Sequence, residues 1–278
     1  MKLHETLIYP DWPAPANVKS LQTTRQGGIS AAPYDTLNLG SHVGDAPRAV
    51  AHNRQSLSPY MPSEPVWLEQ VHGTIVANAD LASCRVRPRH GGAEHSGTGV
   101  AASHLLPQSA VFASNVSKVQ ADACIARQGG AVCVVMTADC LPVLLCDEDG
   151  TVVAAAHAGW RGLCDGVIEA TVNAMDVAPH KLMAWLGPAI GQQAFEVGEE
   201  VRVAFVAHDA DAAKAFVAHD KQGKFHADIY MLARQRLKAL GITRIFGGDF
   251  CTYHQKVAFF SYRRDGVTGR MGTFIWLD

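Results

Sequence analysis

The chain has 278 residues, 48% of them hydrophobic, enough to bury a large core without disulfide or metal staples. Its 24 basic and 26 acidic residues leave a formal charge of −2. That balance excludes the cationic footprint of a nucleic-acid-coating protein or of one held on an anionic membrane. Seven cysteines at 84, 124, 133, 140, 146, 164 and 251 form no C-x-x-C pair, so neither a zinc ribbon nor a disulfide framework fits. Residues 1–6 lack the apolar segment of a signal peptide. The longest apolar stretch, 131–146, is interrupted by Thr137, Asp139 and Pro142, so no transmembrane helix is expected. The expectation is a cytoplasmic protein with reduced thiols.

In chain order, turn formers crowd the first sixty residues around a strand at 18–24. Strands at 65–71 and 74–79 flank the turn His72-Gly73, whose glycine suits so short a reversal. Residues 83–118, with Arg85, Arg87, Arg89 and several glycines, show no helical or strand period and are expected to be an exposed insertion. Strands follow at 131–136, 141–146 and 151–156, the last two joined by the turn Asp147-Glu-Asp-Gly150. His157-Ala-Gly-Trp-Arg-Gly162 leads into a helix at 163–175. A strand at 181–186 ends at Gly187-Pro188, and helices are expected at 198–208 and 210–218. Asp228 is placed to cap a helix that ends at Gly241 and carries the stripe Met231, Leu232, Leu237 and Leu240. Strands at 244–246, 257–262 and 273–277 complete the chain. These elements predict an α/β (α+β) sandwich of mixed sheets flanked by helices, one domain over 1–278.

No dinucleotide fingerprint, Walker loop, H-E-x-x-H, G-x-S-x-G or zinc-deaminase pair occurs. Three residues of metal-ligand type stand where predicted strands end: His72, Cys140 in Thr-Ala-Asp-Cys-Leu-Pro, and His157. Two imidazoles and a thiolate suit Zn²⁺ and leave a fourth position open, as a catalytic zinc requires. Spacing alone leaves open the alternative of a core cysteine and two hydrogen-bonded histidines. Glu69 and Asp139 are candidate acid–base groups, although strand parity points each away from its neighbouring ligand. Met136 lies four residues before Cys140 and reads as core, and Trp160 is a candidate stacking surface for a purine.

The segments Trp67-Leu-Glu-Gln-Val-His-Gly73, Thr137-Ala-Asp-Cys-Leu-Pro-Val143, Ala156-His-Ala-Gly-Trp-Arg-Gly162, Leu186-Gly-Pro-Ala-Ile-Gly191 and Phe259-Phe-Ser-Tyr-Arg-Arg264 resemble the signature of the YfiH-like laccase-domain family. The resemblance spans nearly the whole chain; the 83–118 stretch departs from it, being much longer than the family's connection. It implies that His72, Cys140 and His157 bind a catalytic zinc. It further implies phosphorolysis of adenosine, inosine and methylthioadenosine, with adenosine deamination. Separately, it implies peptidoglycan editing, the removal of wrongly incorporated L-Ser from a UDP-MurNAc cell-wall precursor. The older laccase label implies copper and phenol oxidation.

Phosphorolysis needs a cationic cradle for phosphate, which arginine forks supply better than lysine. Arg25, Arg161 and Arg263 are the expected phosphate or substrate binders; the turns of the first two also offer backbone N–H groups. Arg264 and Arg270 follow turns of similar kind. Two competing readings use the same residues: a metal-free hydrolase with Cys140 as nucleophile and His157 as base, and a structural Cys/His site without catalysis.

Overall fold

The computed structural model describes residues 3–83 and 119–278; apart from its first residue, the expected insertion at 83–118 lies outside them. After β1 (Val18–Gln22), helix α1 (Pro47–Gln55) leads to β2 (Leu68–Glu69), β3 (Val76–Asn78) and the short α2 (Ala79–Ser83). Strands β4 (Val119–Gln120), β5 (Ala123–Ala126), β6 (Cys133–Thr137), β7 (Leu141–Asp147) and β8 (Val153–Ala158) run almost consecutively, and helices α3 (Trp160–Asp165) and α4 (Val167–Met175) follow. The remainder alternates: β9 (Leu182–Leu186), β10 (Glu196–Gly198), α5 (Glu199–His208), β11 (Phe216–Ala218), β12 (Lys224–Ala227), α6 (Ile229–Ala239), β13 (Arg244–Gly247), α7 (Tyr262–Asp265) and β14 (Met271–Leu277).

A six-stranded mixed sheet, β13-β9-β7-β8-β5-β3, forms the centre, and the antiparallel sheet β1-β14-β6 packs on one side of it. Both faces of the central sheet are covered, which is why β7 and β8 are buried at every position and read as unbroken apolar runs. Strand parity sorts the side chains into layers. Val143, Leu145, Ala154 and Ala156 point to helices α3–α6, where Leu163, Ile168, Val172 and Leu237 meet them. Leu144, Cys146, Val153 and Ala155 point the other way, onto Cys133, Val135, Ile275 and Leu277 of the smaller sheet. The alternate residues Val134, Phe274 and Trp276 close a third layer with Leu21, Leu37 and Leu39. The expected α/β sandwich is therefore the observed architecture.

Several local expectations need correction. Strands β2 and β3 do not form a hairpin about His72-Gly73; each pairs in parallel with a later strand, β4 and β5. The helix expected at 163–175 is broken at Gly166, whose left-handed φ of 98° ends α3 and starts α4. The last third of 210–218 is strand β11, after a 3-10 turn over Ala210–Ala215. The apolar run 257–262 is not a strand: Phe259 and Phe260 fill a small core beside Met271, and Ser261 accepts the N–H of Arg264 to cap α7. Asp228 does cap α6, accepting from Met231 N, but Met231 itself is exposed. Among the described residues no helix is long and apolar enough to cross a membrane, and the six cysteines are all unpaired thiols.

Candidate metal and substrate site

The register of β7 and β8 explains half of the site. Leu141 lies opposite Ala158 and Pro142 opposite His157, so the antiparallel pairing sets Cys140, one step before β7, beside Gly159, one step beyond β8. A Cβ on Gly159 would stand 2.9 Å from Cys140 Sγ and 2.7 Å from His72 Cδ2; only hydrogen at this position lets the two side chains close on each other. Gly162 performs a similar task one turn of α3 later, where a Cβ would lie 3.0 Å from the carbonyl oxygen of Gly73.

His72 arrives from outside the central sheet, at a φ of 61° that L-residues rarely adopt. What holds it there is Asp122, fully buried just ahead of β5. Its carboxylate accepts the N–H groups of Val71, His72 and Gly73 at 3.1, 2.9 and 2.7 Å. The same carboxylate takes His157 Nδ1 at 2.8 Å, which directs the other imidazole nitrogen away from it. Gln70 adds a second clamp: its amide exchanges hydrogen bonds with the backbone of Met136 at 2.8 and 2.7 Å. Four chain segments, at 70–73, 122, 136 and 157, are thereby locked into one constellation.

The ligand atoms of His72, Cys140 and His157 all lie within 4.8 Å of one another, with Cys140 Sγ 3.7 Å from His72 Nε2. Burial pushes the Cys140 thiol up, but attraction to His157 and hydrogen bonds from both imidazoles outweigh it and bring the pKa down to about 6. Burial lowers His157, but attraction to the Cys140 thiolate and the bond to Asp122 override it and raise its pKa to about 9. The donor set fits a borderline-soft divalent ion: two imidazoles, a thiol disposed to ionise, and a carboxylate behind one imidazole. Among the described residues this is the one cluster of three such side chains.

The triad opens into a cavity of about 510 Å³ lined by Trp160, Phe195, Tyr262 and Met136 as well as by Arg161, Arg263 and Arg270. Trp160 thus borders the same space as the triad. Met136 is a core residue, as expected, and also borders this space. Arg161 is exposed, with its guanidinium carbon 4.5 Å from the Trp160 ring centroid. Arg263 is also exposed and donates to the carbonyls of Ala194 and Glu196 at 3.3 and 2.9 Å.

Arg25 lies elsewhere. It donates to the carbonyls of Asp35 and Lys256, pairs with the Asp35 carboxylate at 3.3 Å and covers the Phe260 ring, so it stitches loops together outside the cavity lining. Glu69 is exposed on β2. Asp139 borders the cavity, yet its oxygens are taken by Thr252 Oγ1 at 2.6 Å and the N–H of Arg263 at 2.7 Å, which makes it a tether for α7. Asp122 was the functional residue missed from sequence. Its signal was a lone carboxylate in the apolar run Ala121-Asp-Ala-Cys-Ile-Ala126, where an unpaired charge would be costly.

The chain belongs to the family described as multi-copper polyphenol oxidoreductase laccase, whose model matches residues 19–278. Within that family it is 51% identical over 273 residues to Purine nucleoside phosphorylase YfiH of Escherichia coli, covering 98% of each chain. It is 49% identical to a purine nucleoside phosphorylase of Pseudomonas aeruginosa, again over 98% of both. Among solved structures, a Neisseria meningitidis protein of 46% identity superposes with a TM-score of 0.83, covering 98% of this chain and 99% of that one. YlmD of Geobacillus stearothermophilus, at 27% identity, gives 0.75 over 95% and 93%.

Proposed function

We propose that the chain is a zinc-dependent purine nucleoside phosphorylase, cleaving adenosine, inosine or methylthioadenosine to free base and ribose 1-phosphate or its methylthio analogue. The observation that carries this reading is the convergence of His72, Cys140 and His157 at a cavity walled by aromatic rings and arginines, in a chain about half identical to relatives named for that activity. His72, Cys140 and His157 would hold the zinc ion, which when bound supplies Lewis acidity to the reacting centre.

The remaining work falls to the protein. Trp160, Phe195 and Tyr262 offer flat apolar surface to the base and displace water from it. Arg161 and Arg263 bring positive charge to the substrate's anionic partner, phosphate. Asp122 keeps the His157 ring in one orientation and the His72 turn in a backbone conformation it would otherwise leave. Adenosine deamination belongs to the same proposal, since the ion that His72, Cys140 and His157 would hold would supply Lewis acidity for that reaction as well. Zinc is favoured over a multi-copper assembly because the described residues supply ligands for one ion at this place.

The test is metal content combined with product analysis on adenosine, with and without phosphate. One zinc per chain and adenine released only with phosphate is the expected result. A zinc-loaded chain that leaves nucleosides intact would overturn it and direct attention to the cell-wall amide.

A further inference from the structure

We propose that Arg270 and the hydroxyl of Thr137 form an oxyanion subsite within the triad's cavity, built to take a phosphoryl group as inorganic phosphate. The assignment borrows from the phosphorylase reading only the identity of the anion; the geometry itself calls for an oxyanion.

The cavity wall carries three guanidinium groups, of Arg161, Arg263 and Arg270, against a single carboxylate, that of Asp139. Asp139 is already engaged by Thr252 and the backbone of Arg263, and no ion pair joins it to Arg270 among the described residues. Arg161 and Arg263 are exposed, and Arg263 spends one of its nitrogens on two carbonyls. Arg270 is the half-buried member. Its Nη1 donates to the carbonyls of Thr268 and Gly269, both at 3.0 Å. Nε and Nη2 make no hydrogen bond with the described residues, so the edge of the fork that suits two phosphate oxygens is uncommitted.

This arginine is also held before any ligand arrives. Its N–H donates to Asn38 Oδ1 at 2.9 Å, and its carbonyl accepts from Leu39 N at 3.1 Å. A Cβ on Gly40 would press on Arg270 Cγ at 2.8 Å, so the stem runs in a slot that a larger residue would close. Such fixing lowers the entropy lost on binding.

Thr137 supplies the independent observation. It lines the same cavity and lies opposite Met271, the residue after Arg270, in the pairing of β6 with β14. Only 1% of the residue is exposed, and its Oγ1 has no hydrogen-bond partner. A buried hydroxyl without a partner is costly unless a ligand completes it. A phosphate oxygen accepts that O–H while the guanidinium neutralises the charge.

The experiment is calorimetric titration of the zinc-loaded chain with inorganic phosphate, comparing wild type, Arg270→Gln and Thr137→Val, with zinc content and circular dichroism recorded for each. The expected result is a Kd raised on the order of 10–100-fold by Arg270→Gln and roughly 3–10-fold by Thr137→Val, at unchanged zinc content. Wild-type affinity in both variants overturns the subsite, as does a wild type that binds no phosphate at millimolar concentration. Should Arg270→Gln fail to fold, Arg270→Lys decides, because an ammonium keeps the charge and loses the fork; unchanged affinity there is again fatal. Uridine diphosphate, titrated in parallel, separates free phosphate from a nucleotide-linked phosphoryl group: if only its binding depends on Arg270, inorganic phosphate is the wrong ligand. Arg270-dependent phosphate binding without base release from adenosine would keep the subsite and defeat the phosphorylase reading.

Discussion

Among the described residues one cavity borders Gly191 and another borders Ile190, and the larger is not the one that holds the His–Cys–His triad. The larger, about 730 Å³, is lined by Tyr230, Arg234, Lys238, Asp228 and Cys251. Its central polar groups are bonded to the protein: the Tyr230 hydroxyl accepts from Ala189 N at 2.7 Å and lies 3.1 and 3.0 Å from the carbonyls of Gly187 and Phe250. Arg234 is fixed on the carbonyl of Gly247 at 2.6 Å. The smaller cavity, about 510 Å³, has the reverse character. The side chains of its triad are oriented from behind by Asp122 and Gln70, and among its lining residues the buried Thr137 hydroxyl and one edge of the Arg270 guanidinium have no partner among the described residues. Size measures how loosely elements meet; groups fixed from behind and unsatisfied in front mark a binding site.

The comparison breaks most sharply at Cys140. Replacing it with Ala removes one of the three candidate ligands, and turnover should fall by more than about 10³-fold together with loss of bound metal; full activity in a metal-free Cys140→Ala protein would erase the distinction between the cavities. Next comes Asp122→Asn, which leaves the ligands in place but loosens both histidines. Metal affinity should drop about 10–100-fold, read by competition with a chelator of known affinity.

The opposite side is sharpened by Tyr230→Phe. With three backbone groups losing their partner, stability should fall by about 1–3 kcal/mol in urea unfolding, at unchanged turnover. A large loss of turnover without loss of stability would give the larger cavity a function. The smallest effect concerns the turn that joins β7 to β8. Asp147 is buried there, and its carboxylate accepts from Thr151 N at 2.7 Å, Val152 N at 2.9 Å and Thr151 Oγ1 at 2.7 Å. Burial pushes its pKa up, but these bonds outweigh it and hold the carboxyl below the usual carboxylate range. A lowered folded-state pKa means stability present above the unfolded value of about 3.9 and lost as pH falls through the folded value. Asp147→Asn should therefore cost about 1 kcal/mol at pH 7 and progressively less below pH ~4, measured as urea midpoints across that range.

How much of this was legible depended on how far apart in the chain the partners stand. Cys140 immediately precedes, and His157 lies on, neighbouring strands whose apolar runs and Asp147–Gly150 turn announce a hairpin, so their meeting follows from local register. His72 could be suspected only as a residue type after a strand, and its supposed hairpin was wrong, because the strands on either side pair in parallel with segments 51 and 47 residues later. Asp122 serves a turn some fifty residues earlier, and no local periodicity encodes that contact. The 257–262 run misled for a different reason. Phe259 and Phe260 are buried by a small aromatic cluster rather than by a ladder, and apolar content cannot tell the two apart. Arginines were legible as a class but not as individuals: Arg25 and Arg270 both follow loop residues, and only packing separates a loop stitch from a cavity wall.

The last strand has a consequence for the order in which the molecule can be completed. In the sheet β1-β14-β6, strand β14 is the middle one, so residues 18–22 and 133–137 have no direct ladder with each other and are bridged within the sheet by residues 271–277. On a ribosome, the two earlier strands leave the exit tunnel long before their common partner, and their apolar faces must wait for it. A frameshift or early stop before Met271 would leave His72, Cys140 and His157 on a chain whose sandwich never closes, with Val134, Val135 and Leu21 open to aggregation.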